Sequence, residues 1–369
     1  MKRAGIFFLT AVFIATALVY ARNPAQPVFE GDWSNPNRGV RESVFAFEKL
    51  EDAIENQTSL WIARFDDGSY FYAYLFNYKF TIYEKWGAAA VLVDPDGERH
   101  MGKVEIPRGD LNYSKDSITF KSRNVRISGG NPVYKFFMDA EGFRADLTYS
   151  NVVPPFAPGK GTAWYDAEKK TFLTNVSHCP WGIVSGTLSF NGETRRVNGQ
   201  GYADRDHANQ LFTKQIKELH SFRGWPRDVK DGYGMSAIEY ISGPQYNGLR
   251  ASWLILMKKG EIVMATPEFD VVRSNMKRDE VTGFEYPLGW RLAARDGDNV
   301  LEGAWCEKKT IDILDVFNEL PAPLRPIARR FFTRPVFYRM TGDFIGRFKN
   351  GEKSVPLRIE GLYKAVYTR

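Results

Sequence analysis

The densest cluster of polar residues in this 369-residue sequence lies at residues 199–210, which read GQGYADRDHANQ. If this segment is a strand through Asp206, its alternating side chains place Asp204 and Asp206 on one face together with Tyr202. Two neighbouring carboxyl groups disfavour each other's charge, so one of them has a raised pKa and can act as a general acid. His207 adds a group that exchanges protons near neutral pH. The pattern therefore makes Asp204, Asp206 and His207 candidate catalytic residues.

The same segment also has a purely structural interpretation. Asp and Asn side chains commonly cap the beginning of a helix, and the pattern predicts a helix over residues 208–222 directly afterwards. In this interpretation Arg205 pairs with a neighbouring carboxylate. If Asp204 is ion-paired with an arginine, its pKa falls and it cannot donate a proton at neutral pH. The residues alone leave both interpretations open.

Composition and motifs exclude several classes of function. Lys and Arg total 50 against 44 Asp and Glu, and the basic residues form no continuous stripe, so we expect no nucleic-acid partner. The four histidines have no metal-ligand spacing and there are two cysteines, so we expect no metal and no other cofactor. A Gly-x-Ser-x-Gly elbow and a P-loop are both missing, which disfavours serine hydrolases and nucleotide enzymes. The spacing of Cys179 and Cys306 does not decide whether they form a disulfide.

The amino terminus resembles a secretory signal. Lys2 and Arg3 precede an apolar run, and Ala21 provides a small residue at a cleavage position, so residues 1–21 are predicted to be a signal peptide. The protein is then expected outside the cytoplasm, in a periplasm or secreted. An uncleaved membrane anchor is the alternative, although the run is slightly shorter than the roughly 20 apolar residues of a spanning helix. Residues 22–40, rich in Pro, Asn and Gly, are predicted to be an irregular lead-in.

Strand patterns dominate the rest of the chain. Aromatic residues make up 15% of the sequence, and alternating segments are separated by turn sequences such as Asp66–Ser69, Asp94–Gly97 and Asn191-Gly192. An Asn-Gly-Glu turn recurs at Asn350, which suggests that the second half repeats the first. These patterns predict an all-β fold with two antiparallel barrel or sandwich domains, at residues 41–207 and 208–369.

A second helical insertion is predicted from Ile311 to Phe332, a segment that contains several prolines and arginines among apolar residues. One interpretation is a helix that covers the mouth of the second barrel and exposes its charges to water. The other is peripheral contact with an anionic membrane surface.

Residues 179–188 (CPWGIVSGTL) and 199–204 (GQGYAD) resemble the lipocalin-like two-domain family related to carotenoid hydratase (hydroxyneurosporene synthase) and to the AttH-type secreted proteins. Phe337-Tyr338-Arg339, followed by Gly342, Gly361 and Tyr363, is similar to the closing hairpin of that family. The family often has His-Asp-His-Asn-Trp after the tyrosine, whereas this chain has Ala203-Asp204-Arg205-Asp206-His207. Only Asp204 matches, so the resemblance implies the fold more directly than the reaction.

The resemblance implies two lipocalin-like barrels with a hydrophobic ligand between them, such as an isoprenoid, a polyene or a lipid. Tyr202, Trp181, Trp225 and Trp253 are candidate ligand-binding residues, the tryptophans because they neighbour Gly, Pro or polar loops. Two functions follow as expectations. The protein is either a hydratase or cyclase that protonates a double bond, or a non-catalytic carrier of lipid outside the cytoplasm. The sequence does not decide between them, and it identifies neither the ligand nor the oligomeric state.

Overall fold

The computed structural model describes residues 29–166, 168–227, 229, 232–319, 326 and 333–368. Most of these residues belong to antiparallel strands that form two sheets. The predicted fold class, all-β with two lipocalin-like domains in tandem, is confirmed. The predicted signal peptide at residues 1–21 lies outside the described residues. In the part of the chain that the structure describes, no helix has the length and apolar character needed to cross a membrane.

The first sheet has the order β4-β3-β2-β1-β12-β11-β9-β8-β7-β6-β5, with β10 paired to β11. Its strands are β1 (Ile54–Phe65), β2 (Tyr70–Phe80), β3 (Tyr83–Val93), β4 (Arg99–Ile106), β5 (Asn112–Tyr113), β6 (Phe120–Lys121), β7 (Val125–Gly130), β8 (Val133–Ala140), β9 (Phe143–Asn151), β10 (Thr162–Trp164), β11 (Phe172–Phe190) and β12 (Glu193–Ala208). Short 3₁₀ helices lie at Glu42–Phe45 and Arg108–Asp110.

The second sheet has the order β16-β15-β14-β13-β21-β20-β19-β18-β17. Its strands are β13 (Ile216–Trp225), β14 (Tyr233–Ser242), β15 (Arg250–Lys258), β16 (Glu261–Thr266), β17 (Phe269–Arg278), β18 (Glu285–Asp296), β19 (Asn299–Asp315), β20 (Pro335–Asn350) and β21 (Lys353–Thr368). Further 3₁₀ helices lie at Pro244–Tyr246 and Val316–Glu319. In both sheets the last strand along the chain pairs with the first, so the two halves repeat one topology.

The prediction of a helix over residues 208–222 is wrong. Only α1 (Phe212–Gln215) is helical, and Ile216–Trp225 forms β13. This strand pairs with β14 on one side and β21 on the other, and nearly all of its side chains are buried. A strand that is covered on both faces loses the polar–apolar alternation that distinguishes it from a helix in the sequence.

The predicted insertion from Ile311 to Phe332 is also corrected at its beginning. Residues 311–315 are the end of strand β19, and Val316–Glu319 is a 3₁₀ helix. Residues 320–325 and 327–332 lie outside the described part of the chain, and so do most of the residues predicted to contact a membrane. The two sheets divide between Ala208, which ends β12, and Ile216, which begins β13.

Buried apolar residues form three clusters. One lies inside each domain, and the third contains residues of both sheets, for example Trp181 from β11 and Trp253 from β15. Strand β12 borders two of these clusters, because Ala203 belongs to the core of the first domain and Tyr202 to the core between the sheets. This alternation determines which polar residues of β12 face the second domain.

Candidate functional site

Asp204 lies between the two sheets and is ion-paired. Its Oδ2 accepts a hydrogen bond from the Tyr202 hydroxyl at 2.7 Å and lies 3.2 Å from Nη2 of Arg223, on β13. The Arg223 guanidinium also stacks over the Tyr202 ring, with 4.3 Å between Cζ and the ring centroid. The predicted common face of Tyr202, Asp204 and Asp206 is therefore present. The ion pair between Asp204 and Arg223 agrees with the structural interpretation of this segment.

Asp206 differs from Asp204 in its contacts. Its Oδ1 accepts hydrogen bonds from Nδ2 of Asn175 at 2.7 Å and from the hydroxyl of Tyr240 at 2.9 Å. Trp253 fixes the orientation of the Asn175 amide by donating to its Oδ1 at 2.7 Å. Burial, followed by the negative charge of Asp204, raises the pKa of Asp206 to about 7. Asp206 is therefore the carboxyl group on this face that exchanges a proton near neutral pH.

His207 does not join the two carboxyl groups. It lies on the opposite face of β12, where its Nδ1 is 3.4 Å from Nη2 of Arg205 and its Nε2 is 2.6 Å from Oε1 of Glu55. Successive residues of a strand point to opposite faces, so the strand backbone separates His207 from Asp206. The grouping of His207 with the two aspartates is corrected.

The four predicted ligand-binding residues fill the core between the sheets. Tyr202, Trp181, Trp225 and Trp253 are all fully buried. Trp181 donates to Oε1 of Gln200 at 2.9 Å, and Gln200 in turn donates to the carbonyl oxygen of Pro226 at 2.8 Å. These contacts join the domains. A role in ligand binding stays a prediction for these residues.

A cavity of about 600 Å³ lies on the outer face of strands β2, β3 and β4. Its walls include Tyr72, Tyr74 and Phe76 of β2, Ala89 and Val91 of β3, and Met101 of β4. Leu314 and Val316 of the second domain also line it, together with the charged residues Lys85, Arg99, Lys103, Glu105 and Glu141. The volume falls within the roughly 300–1,000 Å³ of small-molecule sites in proteins.

At one end of this cavity the hydroxyl groups of Tyr72 and Tyr74 contact a buried ion pair that lies behind the cavity wall. The carboxylate of Asp312, on β19, accepts hydrogen bonds from the Tyr72 hydroxyl at 2.6 Å and from Nη1 of Arg339, on β20. Nη2 of Arg339 donates to the Tyr74 hydroxyl oxygen at 3.2 Å. Because this oxygen accepts from Arg339, the phenol proton of Tyr74 is available to a ligand in the cavity. Asp312 and Arg339 are buried, so their charges neutralise each other inside the protein.

The charge environment favours ionisation of Tyr74 more than is usual for a tyrosine. Burial acts to raise the pKa of its phenol, but the positive charges of Arg339 and Lys364 outweigh this effect. The pKa of Tyr74 is therefore lowered from its ordinary value, which makes the hydroxyl a stronger hydrogen-bond donor than an unperturbed phenol.

A second polar cluster lies at the β3–β4 turn. Asp94, Glu98 and His100 place one ligand atom each within 4.8 Å of one another. However, Oδ1 of Asp94 accepts from Nη2 of Arg195 at 2.8 Å, and Oδ2 lies 2.8 Å from Nε2 of His100. A cation would have to displace one of these partners, so we assign no ion to this cluster.

The cavity was not predicted from the sequence, although β2 carries one signal of it. Tyr72, Tyr74, Phe76 and Tyr78 occupy every second position of β2, which places four aromatic rings on one face of a strand. Asp312 and Arg339 had no comparable signal, because they are more than 200 residues away from β2 along the chain.

Comparison with known proteins identifies related sequences. A sequence model of the Svf1 family matches residues 103–354. The ceramide-binding protein svf1 of Emericella nidulans is 24% identical over 234 residues, which cover 58% of this chain and 59% of that protein. The chain therefore spans less than two thirds of the length of this relative.

Solved structures show the same fold. An AttH protein of Nitrosomonas europaea has a TM-score of 0.63 at 16% identity, covering 90% of this chain and 98% of that one. CghA with Sch210972 has a TM-score of 0.63 at 14% identity, covering 94% and 97% of the two chains. Kievitone hydratase of Nectria haematococca has a TM-score of 0.55 at 14% identity, covering 94% and 98%. The resemblance to AttH-type proteins and hydratases that the sequence indicated is confirmed at the level of the fold.

Proposed function

Since this chain belongs to the Svf1 family, we propose that it binds a lipid of the ceramide class, in the cavity between strands β2–β4 and the segment of Leu314 and Val316. The observation that carries the proposal is the cavity itself, which has about 600 Å³, largely apolar walls and one polar end. A lipid chain buried against these walls contributes about 0.8 kcal/mol for each CH₂ group removed from water.

The polar end favours an uncharged head group with hydroxyl and amide groups. Tyr74 lines the cavity and offers a donor, while behind it Arg339 and Asp312 neutralise each other's charge. A charged head group at this end would find no unpaired counter-charge in Asp312 or Arg339, because these two already neutralise each other. Arg99, Lys85 and Lys103 also line the cavity and would favour an anionic lipid instead. Of these, Arg99 is partly exposed and lies 3.7 Å from Asp312, and Lys85 is paired with Glu105.

The proposal is tested by filling the cavity. Ala89 is a small, half-buried residue of the cavity wall, so Ala89→Trp should reduce the affinity for a fluorescent short-chain ceramide at least about tenfold, a change of about 1.4 kcal/mol. Ala304→Trp is the matched control, because Ala304 is also half-buried in a strand but lines none of the cavities described here. Unchanged binding by Ala89→Trp would contradict the proposed site.

The head-group contact has its own test. Tyr74→Phe removes the hydroxyl and keeps the ring, so binding of the ceramide probe should weaken by about 0.5–1.5 kcal/mol. A fluorescent phosphatidic acid serves as the comparison lipid. Tighter binding of this anionic probe than of ceramide would contradict an uncharged head group and would favour the role of Arg99.

The second candidate function is acid-catalysed hydration or cyclisation of a double bond. It is favoured by Asp206, whose pKa is raised to about 7, so that part of the population holds a transferable proton at neutral pH. Its Oδ1 is already occupied by Asn175 and Tyr240, and the residues that line the 600 Å³ cavity do not include it. Binding is therefore the first proposal. Turnover of a polyene that is lost in Asp206→Asn, while ceramide binding persists, would support the second.

A further inference from the structure

The hairpin of β2 and β3 ends in exposed apolar side chains. Ile82 is 96% exposed, Tyr83 54% and Phe80 42%. A single exposed apolar residue is ordinary, but three within four consecutive residues form a patch that water solvates poorly. We call residues 80–83 the hairpin tip.

The turn at the hairpin tip departs from ordinary turn chemistry. Thr81 has a φ of 56°, a left-handed conformation that a β-branched residue rarely adopts. The turn between β11 and β12, in contrast, places asparagine and glycine in such a conformation, at Asn191-Gly192. The Thr81 N–H donates to the carbonyl oxygen of Ala53, which holds the tip in place. The turn therefore presents Ile82 in a fixed position, even though Thr81-Ile82 is a poor sequence for the turn alone.

A row of aromatic rings connects the hairpin tip to the cavity. It lies on one face of β2 and consists of Tyr72, Tyr74, Phe76, Tyr78 and Phe80. Ring centroids are 6.1 Å apart between Tyr72 and Tyr74 and also between Phe76 and Tyr78, and Tyr78 is 6.2 Å from Tyr83. Exposure rises along the row from 3% at Tyr72, through half-buried rings, to the exposed tip. Aromatic side chains thus follow one face of β2 from the cavity to solvent.

We propose that the hairpin tip inserts into the surface of a lipid bilayer and that the aromatic row is the path by which a lipid passes between the bilayer and the cavity. The second part rests on the proposed lipid binding; the first does not. Phe and Tyr suit the boundary between head groups and acyl chains, because each combines an apolar ring with a polarisable or polar edge. A four-residue tip is far smaller than the roughly 800 Å² per partner of a stable protein interface, so a bilayer fits it better than a protein.

Two of the positive charges near the hairpin tip are paired with carboxylates. Lys85 lies 2.5 Å from Glu105, and Arg108 lies 3.1 Å from Glu84. Lys79, next to Phe80, donates instead to the carbonyl oxygens of Leu50 and Glu51, so these residues leave the tip with little excess positive charge. We expect docking through apolar insertion, on uncharged phosphatidylcholine vesicles, with little dependence on salt.

The test is co-sedimentation with phosphatidylcholine vesicles. Ile82→Glu should reduce the vesicle-bound fraction at least about fivefold. Val281→Glu is the matched control and should bind like the wild type, because Val281 is also at a turn and 78% exposed, but lies in the second domain. The proposal would be overturned if both variants lost vesicle binding, or if both bound vesicles like the wild type. A change in oligomeric state in Ile82→Glu with unchanged vesicle binding would also overturn it, since the tip would then contact a second copy.

Transfer of lipid is measured separately from docking. Ile82→Glu should bind ceramide probe in solution with the affinity of the wild type, but extract the probe from vesicles more slowly. Unchanged extraction would overturn the path along the aromatic row. If the wild type bound vesicles and failed to bind the probe at all, the proposed lipid-binding function would fail while the docking tip stood.

Discussion

Replacing Asp204 by asparagine tests whether this residue is a structural anion. Asp204 is 1% exposed and its partner Arg223 is 3% exposed, so water does not solvate either charge. Asparagine keeps the shape and can still accept from Tyr202, but it leaves the positive charge of Arg223 buried without a counter-ion. Removing one partner of a buried ion pair costs about 3–5 kcal/mol. We expect the free energy of unfolding of Asp204→Asn to fall by this amount.

Urea unfolding at pH 8, followed by tryptophan fluorescence, measures the change. Trp181 and Trp253 lie in the core between the sheets, so their emission reports on the region that the ion pair joins. A loss of 3–5 kcal/mol corresponds to a decrease of about 1 M or more in the urea midpoint. The matched control is Asp206→Asn, two residues further along the same face. It removes no ion pair, and it removes a carboxylate whose raised pKa disfavours the folded state at pH 8, so the free energy of unfolding should not fall.

A double replacement separates charge from packing. Asp204→Leu with Arg223→Met removes both charges, so it should recover most of the stability that Asp204→Asn loses. The reasoning is refuted if Asp204→Asn unfolds at the wild-type midpoint, or if the double variant is less stable than the single one.

Three further predictions each concern one or two residues. The pKa of Asp206 is raised from about 4 to about 7, so between these pH values the folded chain binds more protons than the unfolded chain. The free energy of unfolding should therefore decrease as the pH rises from 4 to 7. In urea titrations at several pH values, Asp206→Asn should lack this decrease. Cys306 is exposed, whereas burial raises the pKa of the Cys179 thiol, so a thiol reagent should label one cysteine in the native protein and two after unfolding. A Cβ on Gly342 would lie 2.1 Å from the carbonyl oxygen of Cys306, so Gly342→Ala should lower the free energy of unfolding by about 1–3 kcal/mol in a thermal melt. Gly39 has open space around it, so the control Gly39→Ala should change this free energy by less than about 0.5 kcal/mol.

The sequence predicts the fold well where strands have one buried face. The hairpins around Asp66–Ser69 and Asn191-Gly192 are present because alternation and turn residues agree there. Prediction failed at β13, where both faces are buried and alternation disappears. Local patterns identify a strand by the contrast between its faces, so the most central strands are the hardest to recognise.

The site shows the same limit. Alternation along β12 correctly placed Tyr202, Asp204 and Asp206 on one face, because that inference needs only neighbouring residues. The partner of Asp204 is Arg223 from another domain, so this carboxyl group is part of a buried ion pair. Sequence spacing along β12 does not show which residues of a distant strand contact each carboxyl group.

The repeated topology explains why the cavity exists in only one of the two equivalent positions that the structure describes. Strand β3 of the first sheet corresponds to β15 of the second, since each is the second neighbour of the first strand in its sheet. The outer face of β15 presents Trp253, Ile255 and Met257, which pack into the core between the sheets. At the corresponding face β3 presents Gly87 and Ala89, and a Cβ at Gly87 would lie 2.6 Å from the ring of Phe76. Small residues on β3 therefore leave room for the aromatic side chains of β2 and for the space beside them, whereas large residues on β15 fill the same place. A chain selected for stability alone would gain by filling that space, so the retention of small residues beside an aromatic row argues that the space itself has a use.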